Sequence, residues 1–280
     1  MIKEFPVFIV GTQRCGTTLL ASMLSCHPNL FITQETALLL HIDTWLKQSR
    51  FTKAVADLII QDQRWKDFGI PAELFRQKLT GYKILTPGIV LNAFYDCVVE
   101  ISGKPRWGDN TPVYSEMLRS IVRIWPDAFI IHIIRDGRAV AASWLKLPWA
   151  PKKIEQAAHT WKRRIIKCRA DSQIARNFLE IKYEKLVEDP QNILQEICAF
   201  IQEKYDDCML RYPELDGKSR YYGMIQNPNW PERKVYHKHI IRPPDSDLAI
   251  QWKTDLDNTQ VQHFQHIAGD LLIELGYKIE

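Results

Sequence analysis

The chain has 280 residues, 46% of them hydrophobic and 25% charged, the make-up of a soluble globular protein of one large domain or two small ones. A formal net charge of +4 is too mild to mark a nucleic-acid binder and suits a protein whose ligands are small anions. The six cysteines, at 15, 26, 97, 168, 198 and 208, include no CxxC pair, which argues against a zinc knuckle or a disulfide framework and for free thiols in a reducing compartment.

In chain order the first element is "FPVFIV" (5 to 10), an apolar, β-rich run that reads as a strand buried on both faces of a parallel sheet. It passes into a glycine loop with neither a cleavage-site pattern nor the roughly 20 apolar residues of a membrane span, so a cytoplasmic enzyme without a membrane partner is expected. Leu20, Met23, Leu24 and His27 share one face of the helix that follows. A second amphipathic helix carries Leu38, Ile42, Trp45 and Leu46 on one face, with Glu35 in its first turn and His41 beside the stripe. "AFIIHII" (128 to 134) is a second buried strand and "FLEIKY" (178 to 183) a weaker third, separated by a helix with Ala158, Trp161, Ile165 and Cys168 on one face. From Leu210 to Pro244 neither period is clear, which predicts an irregular lid or binding loop. The last helix runs from Asn258 to Leu275 and stops at Gly276. Strands alternating with helices mean α/β.

Gly11 and Gly16, with four residues between them, stand between the first strand and a helix that begins near Thr17. Backbone N–H groups and the helix dipole together favour an anion at such a junction. In the ATP-binding pattern GxxxxGK(S/T) the lysine reaches the β- and γ-phosphates and the hydroxyl holds magnesium. Here Thr17 occupies the lysine position and Thr18 the hydroxyl position, while the cation, Arg14, has moved inside the loop. One reading is a terminal group smaller and less charged than a γ-phosphate, held by Arg14, Thr17, Thr18 and the loop amides; the other is a plain strand-to-helix turn.

A second anchor lies in "HIIRDGRAVAASWLK" (132 to 146). Arg135 ends a buried strand, where α/β proteins usually bind ligands, and Ser143 follows about two turns into the next helix. The pair is suited to one more phosphate; the alternatives are a salt bridge from Arg135 to Asp136 and a Ser143 hydroxyl bonded to its own helix. Asp109 and Asn110 read as a turn or helix cap after a short strand, with Asn110 a minor candidate for the active site. His27 and His132 read as core histidines, and His263 and His266 lack further ligands for a metal. The basic residues Lys162, Arg163, Arg164, Lys167 and Arg169 read as a solvated helix face, or else as a cleft rim that favours an acidic acceptor.

Taken together, "GTQRCGTT", "CHPNLFITQET", "WGDNTPVY", the Arg135 to Ser143 spacing, "YEKLVEDP" and "QWKTDL" before a helix ending "LGY" make the chain resemble the sulfotransferases that use 3′-phosphoadenosine 5′-phosphosulfate (PAPS). The likeness is strongest to the branch of tyrosylprotein sulfotransferases and related bacterial enzymes, and it runs nearly end to end. It implies a three-layer α/β fold of the P-loop-containing nucleoside triphosphate hydrolase type, with a central parallel sheet and helices on both faces, formed by residues 1–280 as one domain.

The resemblance also implies that Arg14, Cys15, Gly16, Thr17 and Thr18 hold the 5′-phosphosulfate, Cys15 through its backbone N–H. Arg135 and Ser143 would hold the 3′-phosphate, as a second cradle apart from the first. Glu35 would be the general base, Arg14 would stabilise the leaving group, and PAPS would serve as cosubstrate without a metal. The acceptor would be a small-molecule, glycan or peptide hydroxyl, chosen by the helical insertions between 36 and 105 and by the 210–244 loop. There Lys238, between His237 and His239, would touch the adenosine or a phosphate, the alternative being a solvated loop. Three residues depart from the family pattern: Gln13 where proline is common, Cys15 where serine is common, and Asn110 where lysine is frequent, which shifts more of the leaving-group charge onto Arg14. The rival readings are an ATP- or GTP-dependent phosphotransferase on a modified loop and a catalytically inactive nucleotide-binding protein.

Overall fold

The computed structural model describes residues 5–49, 51–215 and 244–279. Five strands form one sheet: β1 (Val7–Gly11), β2 (Leu30–Thr33), β3 (Arg106–Asp109), β4 (Phe129–Ile134) and β5 (Asn177–Lys182), in the order β2-β3-β1-β4-β5. All neighbours are parallel, so every strand must be joined to the next by a crossover. The crossovers are built from α1 (Thr17–Ser25), α2 (Leu38–Gln48), α3 (Thr52–Ile60), α4 (Ala72–Leu79), α5 (Pro87–Ser102), α6 (Leu118–Ile124), α7 (Gly137–Leu145) and α8 (Ile154–Ser172). Beyond β5 come α9 (Tyr183–Glu188), α10 (Pro190–Phe200) and a C-terminal helix, Asn258–Glu274.

Side chains alternate across a strand, and the two faces of β1 feed two separate cores. Val7 and Ile9 join Ile131 and Ile133 under α1, α7, α8 and the C-terminal helix. Phe8 and Val10 join Ile130 under α2 to α6. This double coverage is why β1 and β4 read as unbroken apolar runs, and it gives the three-layer, P-loop-type architecture that the resemblance implies.

The predicted strands at 5–10, 128–134 and 178–183 correspond to β1, β4 and β5. Two four-residue strands, β2 and β3, complete the sheet. β3 reads "RWGD", with charges at both ends, yet it is buried throughout. Its Arg106 donates to Phe5 O (2.7 Å) and Ile201 O (2.6 Å) and pairs with Glu203 at 3.2 Å. The strand is possible because distant residues neutralise it. Gly108 is required there, since a Cβ would overlap Ile32 of β2 and Val7 of β1.

His27 lies past the end of α1 and His132 lies in β4; both are buried and bonded, to Lys204 O at 2.9 Å and to Glu180 Oε2 at 3.0 Å. The C-terminal helix begins with a capping box between Asp257 and Gln260. Of the 210–244 stretch only 210–215 and 244 are described, so the expected lid, with His237, Lys238 and His239, lies outside the described residues. Among the described residues no helix is long and apolar enough to cross a membrane.

Candidate functional site

Because all five strands are parallel, their C-terminal ends share one edge of the sheet. Across that edge, in order, lie Glu35 beyond β2, Asn110 beyond β3, the glycine loop beyond β1, Arg135 beyond β4 and Tyr183 beyond β5. The chain leaves β1 for β2 and β3 on one side and returns to β4 and β5 on the other. The reversal falls at β1, the place where open α/β sheets form a ligand crevice.

The glycine loop is shaped by two left-handed residues, Arg14 (φ 73°) and Gly16 (φ 101°). Gly16 is the N-cap of α1, and having no side chain it leaves the first-turn N–H groups uncapped from that position. A Cβ on Gly16 would overlap the Tyr183 ring. Thr17 is buried and Thr18 half-buried. The Cys15 N–H donates to Thr12 O at 3.3 Å, and its buried thiol is pushed up to about 12 by desolvation. Its side chain packs inside the loop against Gly11, in the core under α1.

The two anion anchors, expected as separate cradles, are joined. Arg14 Nε donates to Ser143 Oγ at 3.0 Å, two turns along α7, and Arg135 Nη1 donates to Arg14 O at 3.1 Å. Arg135 Nη2 donates to Leu248 O, and its Cζ stands 4.5 Å from the Tyr183 ring centroid. The salt bridge to Asp136 does not form. Asp136 instead pairs with Arg138 at 2.8 Å and caps α7 through the Arg138 N–H. Among the described residues Arg135 makes no ion pair, and its buried Nε has no hydrogen-bond partner. Burial, then the neighbouring Arg135 charge, lowers the Arg14 guanidinium pKa, while Glu35 acts in the opposite direction. Arg14 therefore lies within electrostatic reach of both the second anchor and the expected base.

Glu35 is not in a helix. α2 begins at Leu38, after Ala37 in the left-handed region (φ 53°), so Glu35 sits in the 34–37 link between β2 and α2. It is exposed while every other residue from 30 to 39 is buried. Asn110 is also buried, with its N–H on Thr33 O at 3.0 Å.

The basic helix face is taken up by acids: Lys162 by Asp270, Arg163 and Arg164 by Glu116, Lys167 by Asp171, and Arg169 by Glu180 and Glu274. Arg164 also donates to Gln13 Oε1, gripping the glycine loop from outside. His263 pairs with Glu155 at 2.7 Å.

The model of the sulfotransferase family matches residues 6–207. The chain belongs to the sulfotransferase family. Protein-tyrosine sulfotransferase 1 of Danio rerio is 24% identical over 286 residues, covering 98% of this chain and 73% of that protein. A solved sulfotransferase domain from the curacin biosynthetic pathway has a similar fold, with a TM-score of 0.71, 20% identity and complete coverage of both chains. Mouse sulfotransferase SULT7A1, solved complexed with PAP, overlays with a TM-score of 0.52 at 15% identity, over 98% of this chain and 87% of that one.

Two parts of this sulfotransferase's site escape the sequence reading. Tyr183 joins the glycine loop to Arg135; its signals are its place at the end of the weakest predicted strand and at the head of "YEKLVEDP", neither of which gives it a role. Glu184 accepts from the Asp136 N–H at 2.9 Å and the Tyr277 hydroxyl at 3.0 Å, and burial raises its pKa. It fixes the β4–α7 junction that carries Arg135.

Proposed function

We propose that the chain is a PAPS-dependent sulfotransferase (EC 2.8.2.-) that moves the sulfuryl group to a hydroxyl acceptor, with Glu35 as general base. The observation that carries this reading is the convergence of Arg14, Ser143, Arg135 and Tyr183 on a glycine loop that lacks the lysine of ATP-binding loops. The residues fit a dianionic nucleotide. Two guanidinium groups lie side by side, the buried Arg135 Nε has no hydrogen-bond partner among the described residues, and Gly16 lets the Tyr183 ring pack directly against the loop. The mouse relative solved with PAP supports the same donor class.

PAPS supplies the sulfuryl group. The bond between sulfur and the 5′-phosphate oxygen breaks as a bond from sulfur to the acceptor oxygen forms, and adenosine 3′,5′-bisphosphate leaves. Glu35 takes the acceptor proton. Arg14, with Thr17, Thr18 and the α1 amides, stabilises charge on the departing oxygen, and Arg135 with Ser143 holds the 3′-phosphate. Arg14 reaches Ser143 directly, so the contact that holds the nucleotide also orients the group that assists its departure.

Thermal shift with adenosine 3′,5′-bisphosphate against Mg·ATP, followed by transfer from [³⁵S]PAPS to a panel of hydroxyl acceptors, tests the reading. Stabilisation by the bisphosphate and label transfer are expected. Stabilisation by Mg·ATP alone would identify a phosphotransferase instead. In the same assay Arg135→Ala is expected to weaken the bisphosphate by about 1.5–3 kcal/mol, the worth of a charge-assisted hydrogen bond. An unchanged dissociation constant would make Arg135 structural.

A further inference from the structure

We propose that Asp109, at the end of β3, is the positioning residue for Glu35: one buried carboxylate oxygen ties down the link on both sides of the base. The inference rests on the reading of Glu35 as general base. Thr33, two residues before Glu35, places its Oγ1 3.3 Å from Asp109 Oδ2 and 3.1 Å from Gly108 O. Thr36, one residue after it, donates to the same Oδ2 at 2.7 Å. Tyr95 of α5 adds a third donor at 2.8 Å, with its ring stacked on Trp107 at 3.6 Å between centroids.

The bonds run in one direction. The Leu39 N–H donates to Tyr114 OH at 2.9 Å, Tyr114 OH and Thr36 Oγ1 are 3.1 Å apart, and the Thr36 hydroxyl gives its proton to Asp109. Since the Thr36 proton is committed to the carboxylate, Tyr114 must be the donor to Thr36. The chain of donors thus starts at the first turn of α2 and ends on an anion, and such chains strengthen one another in a dry interior. The outcome is a backbone held from both sides with a single side chain, Glu35, left outside it.

Asp109 is 0% exposed, and burial pushes its pKa up to about 6 against the pull of the hydroxyls of Thr111, Thr36, Tyr95 and Thr33. The titratable groups facing it are Tyr95 of α5 and Tyr114 of the 112–116 turn, both raised by burial and by the Asp109 charge and therefore neutral. Above about pH 6 Oδ2 is a charged acceptor for Thr36 and Tyr95, with the Thr33 proton shared with Gly108 O; below it the proton settles on Oδ1, which has no hydrogen-bond partner among the described residues, Oδ2 becomes a weaker neutral acceptor and the link loosens. Turnover falls as pH drops through that value, for a reason separate from protonation of Glu35.

The test compares kcat against pH, bisphosphate affinity and amide hydrogen exchange over residues 33–39 in the parent chain, Asp109→Ala, Asp109→Asn, Thr36→Val and Glu35→Gln. Asp109→Ala and Thr36→Val are expected to lower kcat by about 10- to 100-fold, the scale for a misplaced catalytic group, and to speed exchange at 36–39 while bisphosphate binds as before. Asp109→Asn keeps a carbonyl acceptor but has no carboxylate to titrate, so it retains the fold and part of the turnover and loses the acid limb near pH 6. An unshifted acid limb in Asp109→Asn, or unchanged kcat in both Asp109→Ala and Thr36→Val, overturns the proposal. Full turnover in Glu35→Gln overturns the reading of the base, and the proposal with it. That failure is distinguishable because Asp109→Ala and Thr36→Val would still speed exchange at 36–39.

Discussion

Glu35→Gln is expected to bind adenosine 3′,5′-bisphosphate as tightly as the parent chain and to turn over about 10² to 10⁴ times more slowly, roughly 3–5 kcal/mol in the barrier. Glutamine keeps the size and hydrogen-bonding reach of the side chain but cannot take the acceptor proton. The donor contacts lie on the β1, β4 and β5 ends of the sheet, while Glu35 follows β2 at the far edge, so the substitution leaves the nucleotide grip in place. Removing the carboxylate also removes an anion that acts on Arg14, which slightly favours the bound nucleotide. Calorimetry with the bisphosphate and label transfer from [³⁵S]PAPS measure the two halves separately. Equal turnover in mutant and parent would take Glu35 out of the mechanism.

Arg106→Met is expected to lower unfolding stability by about 3–5 kcal/mol, the usual penalty for breaking a buried ion pair from one side. Arg106 and Glu203 are each only 2% exposed, so the remaining carboxylate would stay in the interior without its guanidinium. Two backbone carbonyls, Phe5 O and Ile201 O, would lose a charged donor as well. Desolvation already lowers the Arg106 pKa, which marks the pair as expensive to bury and stable through its bonds. The double replacement Arg106→Met with Glu203→Leu should recover much of the loss, because an apolar pair of similar volume removes both buried charges. Urea unfolding of the single and double variants checks both statements. A single variant as stable as the parent would mean that the pair is solvated.

What the sequence discloses and what it hides follow one physical rule. The buried strands β1 and β4, the glycine loop and the Arg135–Ser143 spacing are local patterns, and each appears where its period or composition says. The short strands β2 and β3 are legible only through partners far along the chain. Arg106 is tolerable because of Glu203, and Asp109 because of Thr36 and Tyr95. The same cause displaces Glu35 from its expected helix: the apolar stripe of α2 is real, but Thr36 bonds to Asp109 and Ala37 turns left-handed, so the helix starts three residues late. The joining of the two anion anchors depends on Arg14 meeting Ser143, 129 positions away, which no spacing argument reaches.

The order of the strands has one more consequence. Everything proposed to grip the donor lies at the ends of β1, β4 and β5, whereas α3, α4 and α5 belong to the crossover from β2, which carries Glu35 at its end, to β3. With Glu35 as the proposed base the alcohol enters on the β2 side of the edge, so substitutions in the crossover on that side are expected to change acceptor choice while leaving nucleotide affinity constant. Such a partition lets a lineage try out new alcohols one at a time without having to rebuild the grip on its reagent.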